Sequence, residues 1–175
     1  VMAIGRTFKE ALNKAIRSLE QDAYGLAFPD YSSLEDEEVK RAIRTPNPNR
    51  LWYIASAFRK GYSLQEVYEL SKIDPWFLEN IRQIVEFEKV LKEGNLTPEV
   101  LRMAKEMGYS DMEIGRLTGM GEEEVRRLRY EWNILPAFKG VDTCAGEFVA
   151  YTPYYYSSYE RPYYTLEDGE FLDQD

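Results

Sequence analysis

Residues 61–67 read GYSLQEV, and residues 108–114, 47 positions further along the chain, read GYSDMEI. The match continues at the same offset, since Leu70 corresponds to Leu117. Shared turn residues and shared apolar positions indicate two copies of one helical unit, neither of which can bury its apolar face alone. We expect two similar helical subdomains packed together; the alternative is that two capped helices resemble each other by coincidence.

Each copy contains a helix-start signal. Ser63 with Glu66, and Ser110 with Glu113, have the spacing of a capping box, in which the serine oxygen accepts from the glutamate N–H and the glutamate side chain reaches back to the serine N–H. Such signals recur along the chain and predict further helix starts. The other signals are Thr7 with Glu10, Asp74-Pro75 and Thr97-Pro98.

Helix stops and apolar spacing predict short helices. Gly61, Gly94 and Gly108 stand where a last helical turn needs a residue that tolerates a left-handed backbone. Apolar residues recur at helical spacing, and no strand alternation competes before the C-terminal segment. The predicted fold class is therefore all-α: an orthogonal bundle of about eight short helices in two similar subdomains, with an irregular Tyr-rich C-terminal segment.

Changes in composition suggest the domain boundaries. Residues 1–6 are a short apolar stretch, interpreted as a buried strand, and residues 7–136 form the helical domain. Residues 137–160 form a Tyr-rich strap able to lie on a hydrophobic surface, and residues 161–175 form an acidic tail with the composition of a mobile end.

The composition narrows the possible functions. The sequence has no histidine, which removes Ser-His and Cys-His nucleophiles and imidazole zinc ligands. The net charge of −9 disfavours binding to nucleic acid. One cysteine cannot form an intrachain disulfide, and no apolar run approaches the roughly 20 residues that cross a bilayer. We expect a cytoplasmic protein without a nucleic-acid or membrane partner.

Residues 110–133 nevertheless fit a helix-turn-helix pattern, so a DNA-binding regulator is the alternative function. The second helix opens with Glu122, Glu123 and Glu124, which favour the helix dipole but repel phosphate. The basic cluster of Arg126, Arg127 and Arg129 could hold a phosphate, but the glutamates four residues before Arg126 and Arg127 can neutralise much of its charge. An unrelated carboxylate enzyme is a third possibility.

No residue is predicted to be catalytic or to bind a cofactor or metal, since neither common Gly-rich phosphate loop occurs. Cys144 lacks a histidine to activate it and is expected to be a packing thiol. Large aromatic residues serve equally as core or as interface anchors, and the sequence does not separate the two. The candidate interface or structural residues are Trp52, Tyr53, Trp76, Phe77, Trp132, Asp142, Cys144, Tyr154 and Tyr156.

Both ends of the chain resemble a known family. Residues 141–145 (VDTCA), with Glu147-Phe148 and residues 156–160 (YSSYE), resemble the end of the central oligomerisation (connection) domain of carbamoyl-phosphate synthetase large subunits. Residues 1–8 (VMAIGRTF) resemble the junction at which the first ATP-grasp half of that subunit enters this domain. The resemblance covers about residues 1 to 160. Minor departures occur at Gly140 and Gly146.

The resemblance implies a non-catalytic, all-helical domain that helps large subunits associate and bridges the two ATP-grasp halves. The parent enzyme is a ligase that makes carbamoyl phosphate from bicarbonate, glutamine-derived ammonia and two ATP, for arginine and pyrimidine biosynthesis. ATP with Mg or Mn would bind in the flanking halves, and a glutamine amidotransferase small subunit would be a further partner. Because residues after 160 do not resemble the second ATP-grasp half, they are an excised end, a divergent linker or the end of a naturally split subunit.

Overall fold

A computed structural model of the protein describes residues 1–19, 21–149 and 154–159. Those residues contain eight helices and one small antiparallel sheet, so the predicted, mostly helical fold is confirmed. That the bundle is orthogonal stays a prediction. The elements are α1 Phe8–Arg17, α2 Asp36–Arg44, α3 Arg50–Arg59, α4 Leu64–Ser71, α5 Pro75–Glu93, α6 Pro98–Glu106, α7 Asp111–Thr118, α8 Glu122–Glu131, β1 Ala137–Val141 and β2 Tyr154–Ser158.

The internal repeat is visible in the backbone. The first residues of α4 and α7, and those of α5 and α8, lie at the predicted offset. Between α3 and α4 the chain turns through Gly61 (φ 92°), and between α6 and α7 it turns through Gly108 (φ 90°). At both turns the N–H of the next residue, Tyr62 or Tyr109, donates to the carbonyl of the residue five positions earlier, at a distance of 3.0 Å. The two copies therefore share their turn conformation as well as their helix order.

The five predicted helix starts are confirmed. In each case the capping side chain accepts a hydrogen bond from a backbone N–H of the first turn; these caps are Thr7, Ser63, Asp74, Thr97 and Ser110.

Two local predictions about helix ends and lengths are wrong. Gly94 has φ −101° and an extended backbone instead of a left-handed one. Helix α5 has 19 residues and is not short, because it buries apolar residues as far as Leu91.

Both predictions for the chain ends also need correction. Residues 1–6 are not a strand, and Val1 and Met2 are exposed. A strand needs a neighbour for its backbone groups, whereas the Ile4 carbonyl accepts from Lys14 Nζ at 2.9 Å. The Tyr-rich segment is not wholly irregular, because β2 pairs with β1. The tail predicted for residues 161–175 lies outside the described residues.

Helix α5 lies at the centre of the bundle. It contacts α1, α3, α4, α6 and α7, while α2 packs on α3 and α4, and α8 packs on α7. One continuous apolar core runs through these helices. The largest fully buried side chains are Trp52, Tyr109, Ile16, Leu26, Ile43, Ile54, Leu78, Ile84, Leu91, Leu101, Ile114 and Ile134.

Candidate functional site

Trp52 and Tyr53, adjacent on α3, belong to the helical body. Trp52 is 1% exposed, and its Nε1 donates to the carbonyl of Gly25 at 3.0 Å. The half-buried ring of Tyr53 stacks on Tyr31, with 4.2 Å between the ring centroids. Trp52 is therefore a core residue whose indole has its polar atom satisfied, and a partner cannot reach it.

Trp76 and Phe77 have the opposite environment. They lie in the first turn of α5 and are 58% and 42% exposed. Each packs on Phe8, the first residue of α1, at centroid distances of 5.5 Å and 5.1 Å. We call Phe8, Trp76 and Phe77 the aromatic cluster. Exposed aromatic side chains that group in this way are typical of contact surfaces.

The remaining candidate residues lie near the C-terminal end of the described chain. Trp132 is half-buried against the core. Asp142 is exposed and accepts from the N–H of Cys144 at 3.0 Å, so its carboxylate shapes a turn. Cys144 is half-buried beside the Thr143 hydroxyl. Tyr154 is exposed, whereas Tyr156 is half-buried.

The two strands have one outward and one inward face. Phe138 and Tyr155 are on the outward face and are highly exposed. On the inward face, the ring of Tyr156 lies below Lys14 Nζ, 5.7 Å from the nitrogen to the centroid, and Ser158 is buried. Part of the Tyr-rich segment thus packs on the helical body, and the role of residues 137–160 as a strap stays a prediction.

Lys14 and Glu10 on α1 hold both ends of the described chain. Lys14 Nζ donates to the carbonyls of Ile4 and Ser157 and pairs with Glu10 at 3.0 Å. The buried Glu10 carboxylate also accepts from the N–H of Arg6 at 2.8 Å and from the hydroxyl of Ser158 at 3.4 Å. Helix α1 therefore ties the first residues to strand β2.

A buried ionic cluster connects α6, α7 and α8. Asp111 pairs with Lys105 at 2.7 Å and with Arg129 at 3.1 Å, and all three side chains are buried. The ring of Tyr159 lies 5.0 Å from Lys105 Nζ and 5.8 Å from the Arg129 guanidinium carbon. Burial alone would raise the pKa of Asp111, but the two cations outweigh it and hold this pKa below its usual value.

A second buried pair connects α3 and α5. The Arg59 guanidinium makes two hydrogen bonds of 2.8 Å to the two carboxylate oxygens of Glu88. It also donates to the carbonyl of Leu26 at 2.5 Å and pairs with Asp30 at 3.1 Å. These contacts use the donors of Arg59 to fix the segment before α2 against the centre of the bundle.

The basic cluster on α8 is neutralised, as the charge spacing indicated. Arg126 pairs with Glu122 at 2.6 Å and with Glu123 at 3.0 Å. Arg127 pairs with Glu131 at 3.2 Å. Helices α7 and α8 do pack tightly together. However, Arg126 and Arg127 already face carboxylates along α8, and Arg129 is buried against Asp111 of α7.

The structurally decisive charged residues were not recognised in the sequence. Asp111 and Lys105 looked like ordinary polar residues of short amphipathic helices, and Glu113 looked like the last residue of a capping box. Lys105 lies six residues before Asp111, and Glu113 lies two residues after it. Neither spacing belongs to a motif, so no local signal marks these side chains as buried. In the part of the chain that the structure describes, no group of three or more acidic or thiol side chains could hold a metal ion.

Among the described residues, none of the helices combines the length and the apolar composition that crossing a bilayer requires.

Comparison with known proteins gives one consistent similarity. The family model described as carbamoyl-phosphate synthetase large chain, oligomerisation domain, matches residues 1–133. The whole chain is 68% identical over 175 residues to the carbamoyl phosphate synthase large chain, N-terminal section, of Aquifex aeolicus, and spans 31% of that protein.

Longer relatives show the same similarity. Carbamoyl phosphate synthase large chains of Archaeoglobus fulgidus and Myxococcus xanthus are 48% and 50% identical over 168 residues, covering 91% and 92% of the chain. The chain spans 16% of each of these two proteins. It therefore corresponds to a minor part of every relative named here.

Proposed function

Because the chain belongs to the carbamoyl-phosphate synthetase large-chain family and contains its oligomerisation domain, we propose that it acts by association and connection and performs no catalysis itself. The observation that carries the proposal is the match of the oligomerisation-domain model to residues 1–133. The helix-turn-helix alternative has no support, since the relatives found are synthase large chains.

The paired charges of the bundle support a structural role. Asp111 pairs with both Lys105 and Arg129, and Glu88 pairs with Arg59. Buried ions that are paired and hydrogen-bonded fix the helices relative to one another and leave few side chains poised for proton transfer. A rigid connector suits a domain whose work is to position other domains.

In this proposal, the catalysed reaction takes place in the rest of the parent enzyme. The parent forms carbamoyl phosphate from bicarbonate, glutamine-derived ammonia and two ATP, for arginine and pyrimidine biosynthesis in the cytoplasm. ATP with Mg or Mn binds in the flanking ATP-grasp halves, and glutamine is hydrolysed in the amidotransferase small subunit. This chain contributes surfaces that hold large chains together and that join their two halves.

The aromatic cluster is our candidate for the connecting surface. It includes Phe8, the last of the residues that resemble the junction with the preceding ATP-grasp half. Trp76 and Phe77 add apolar area at the same place. We assign this surface to a neighbouring ATP-grasp half and not to a second copy of the domain.

Sedimentation equilibrium of the chain tests self-association. We expect the weight-average mass to rise from the monomer value of 20.5 kDa as concentration increases from micromolar to hundreds of micromolar. ATP hydrolysis measured in the same samples should stay at the background rate. A constant monomer mass at the highest concentration would refute self-association of the isolated domain.

The double substitution of Trp76 and Phe77 by alanine tests the assignment of the aromatic cluster. We expect the association constant from sedimentation to stay within about twofold of the wild type, because this surface meets a different domain. Tyr130→Ala, at another highly exposed aromatic residue, is the matched control. A drop of tenfold or more, about 1.4 kcal/mol, confined to the double variant would assign the cluster to self-association instead.

A further inference from the structure

The carboxyl group of Glu113 on α7 is buried inside the bundle, and none of the described residues places a counterion in direct contact with it. The residue is 1% exposed, and its Oε1 accepts from the N–H of Ala27 at 2.9 Å. Its Oε2 has no hydrogen-bond partner among the described residues. A Cβ atom built on Gly25 would lie 2.0 Å from Oε2, so the carboxyl group packs directly on the backbone of Gly25.

The internal repeat supplies a comparison for this residue. Glu66 occupies the equivalent position in the first copy and completes its capping box by accepting from the N–H of Ser63 at 2.7 Å. Glu66 is exposed, and its bond from the Ser63 N–H holds its pKa below the usual value. Glu113 has the same place in the motif, but its side chain turns away from the cap toward residues 25–27.

Residues 23–28, which we call the bridging loop, lie between the two copies. From the first copy, Trp52 Nε1 donates to the carbonyl of Gly25, and Arg59 donates to the carbonyl of Leu26. From the second copy, the hydroxyl of Ser110 donates to the carbonyl of Tyr24 at 3.0 Å. Glu113 is the acceptor for the N–H of Ala27, so both copies hold this loop.

The surroundings of Glu113 favour its neutral form. Burial raises its pKa to about 7, and Glu88 of α5 acts in the same direction. The Ala27 N–H, Arg17 of α1 and Arg59 of α3 oppose the rise. Tyr109, just before α7, is buried and its hydroxyl donates to the carbonyl of Ile84, so it adds no positive charge.

We propose that Glu113 is a proton-dependent clasp: its neutral carboxyl group holds the bridging loop between the two helical copies, and loss of the proton loosens that loop. In the neutral form one oxygen accepts from Ala27 and the other carries the proton against the Gly25 backbone. After ionisation, a negative charge with a single hydrogen bond and no ion-pair partner among the described residues remains at a buried site, which is costly. The inference stands whether or not the domain self-associates.

The direction of the pH effect follows from the two states of the loop. The closed state binds the proton with a pKa of about 7, and the open, hydrated state binds it with the ordinary value of 4.5. The equilibrium constant for opening therefore rises about tenfold per pH unit between these two values and levels off above the higher one. The clasp is strongest at acidic pH and weakest in alkaline solution.

Two NMR measurements on the chain test the clasp. The carboxyl carbon of Glu113 should titrate with a midpoint near pH 7, whereas that of Glu66 should titrate below its usual value. The protection factor of the Ala27 amide, corrected for intrinsic exchange, should fall roughly 40-fold from pH 5 to pH 7 and about twofold more above pH 7 before it levels off.

Matched variants separate the clasp from a merely structural role. Glu113→Gln keeps an acceptor for Ala27 but cannot ionise, so its Ala27 protection should not change with pH. Glu66→Gln, at the equivalent position of the other copy, should keep the wild-type pH dependence. A Glu113 midpoint near 4.5, or a pH dependence that survives in Glu113→Gln, would overturn the inference. Should Glu113→Gln fail to fold, the wild-type titration alone decides.

Discussion

Replacing Asp111 by alanine is expected to lower the free energy of unfolding by about 3 kcal/mol or more. The substitution leaves Lys105 and Arg129 buried close together without the carboxylate that pairs with both. The cost comes mainly from the two unpaired cations and not from the lost contact itself. Urea denaturation, monitored by far-UV circular dichroism, measures this difference in the free energy of unfolding. Comparing the slope of that free energy against urea concentration between wild type and variant detects a changed unfolded state.

Asp36→Ala is the matched control for Asp111→Ala. Asp36 also pairs with a lysine, Lys60, at 2.8 Å, but its side chain is 57% exposed. An exposed pair of this kind is screened by solvent and contributes little to stability, so the loss in Asp36→Ala should be much smaller than the loss in Asp111→Ala. Equal losses in the two variants would contradict the buried cluster described above and would mean that water reaches Lys105 and Arg129.

Asp111 also makes the stability of the folded protein sensitive to acid. Its pKa is depressed in the folded protein, so its contribution to stability is complete above its ordinary value of 3.8 and is lost as the pH falls through the folded value. This direction is opposite to that of Glu113, whose raised pKa makes its contribution largest in acid and reduces it as the pH rises from 4.5 to about 7.

Trp52→Ala should lower the free energy of unfolding by about 3–5 kcal/mol. The indole is fully buried, and its removal leaves a large cavity next to the bridging loop. The carbonyl of Gly25 also loses its hydrogen-bond donor. The melting temperature, the urea midpoint and the protection of the bridging-loop amides from hydrogen exchange should all decrease together, because one side of the loop is no longer held.

Trp76→Ala provides the comparison for Trp52→Ala. The same atoms are removed, but Trp76 is more than half exposed, so the loss should stay below about 1 kcal/mol. A severe loss at Trp76 together with a mild one at Trp52 would reverse our division of the aromatic residues into core and surface. Phe77→Ala should behave like Trp76→Ala, since it belongs to the same exposed cluster.

Part of the candidate surface could be predicted from the sequence. The pairing of Trp76 with Phe77 follows from their adjacency, and the helix start at Asp74-Pro75 placed them in a first turn. The sequence did not predict that Phe8 would join them, because that contact links helices almost 70 residues apart. It also did not predict which of the two tryptophans at positions 52 and 76 would be buried.

The chain ends show why some elements were misassigned. Strand β2 consists of Tyr154–Ser158, whose run of tyrosines has no apolar-polar alternation to indicate a strand. It forms because β1 lies antiparallel to it and because Lys14 and Glu10 hold its end against α1. Residues 1–6 have the apolar composition of a strand, but no described strand pairs with them.

The sequence alone determined the helix starts, the repeat and the family, because capping, turn conformation and a residue signature depend on neighbours in the chain. The tertiary structure decided what each repeated residue does. Ser63-Glu66 and Ser110-Glu113 are the same motif, yet Glu66 stays in solvent and Glu113 enters the core. The difference arises because the bridging loop packs on Glu113 and not on Glu66, and burial is a property of the assembled fold that local spacing does not encode.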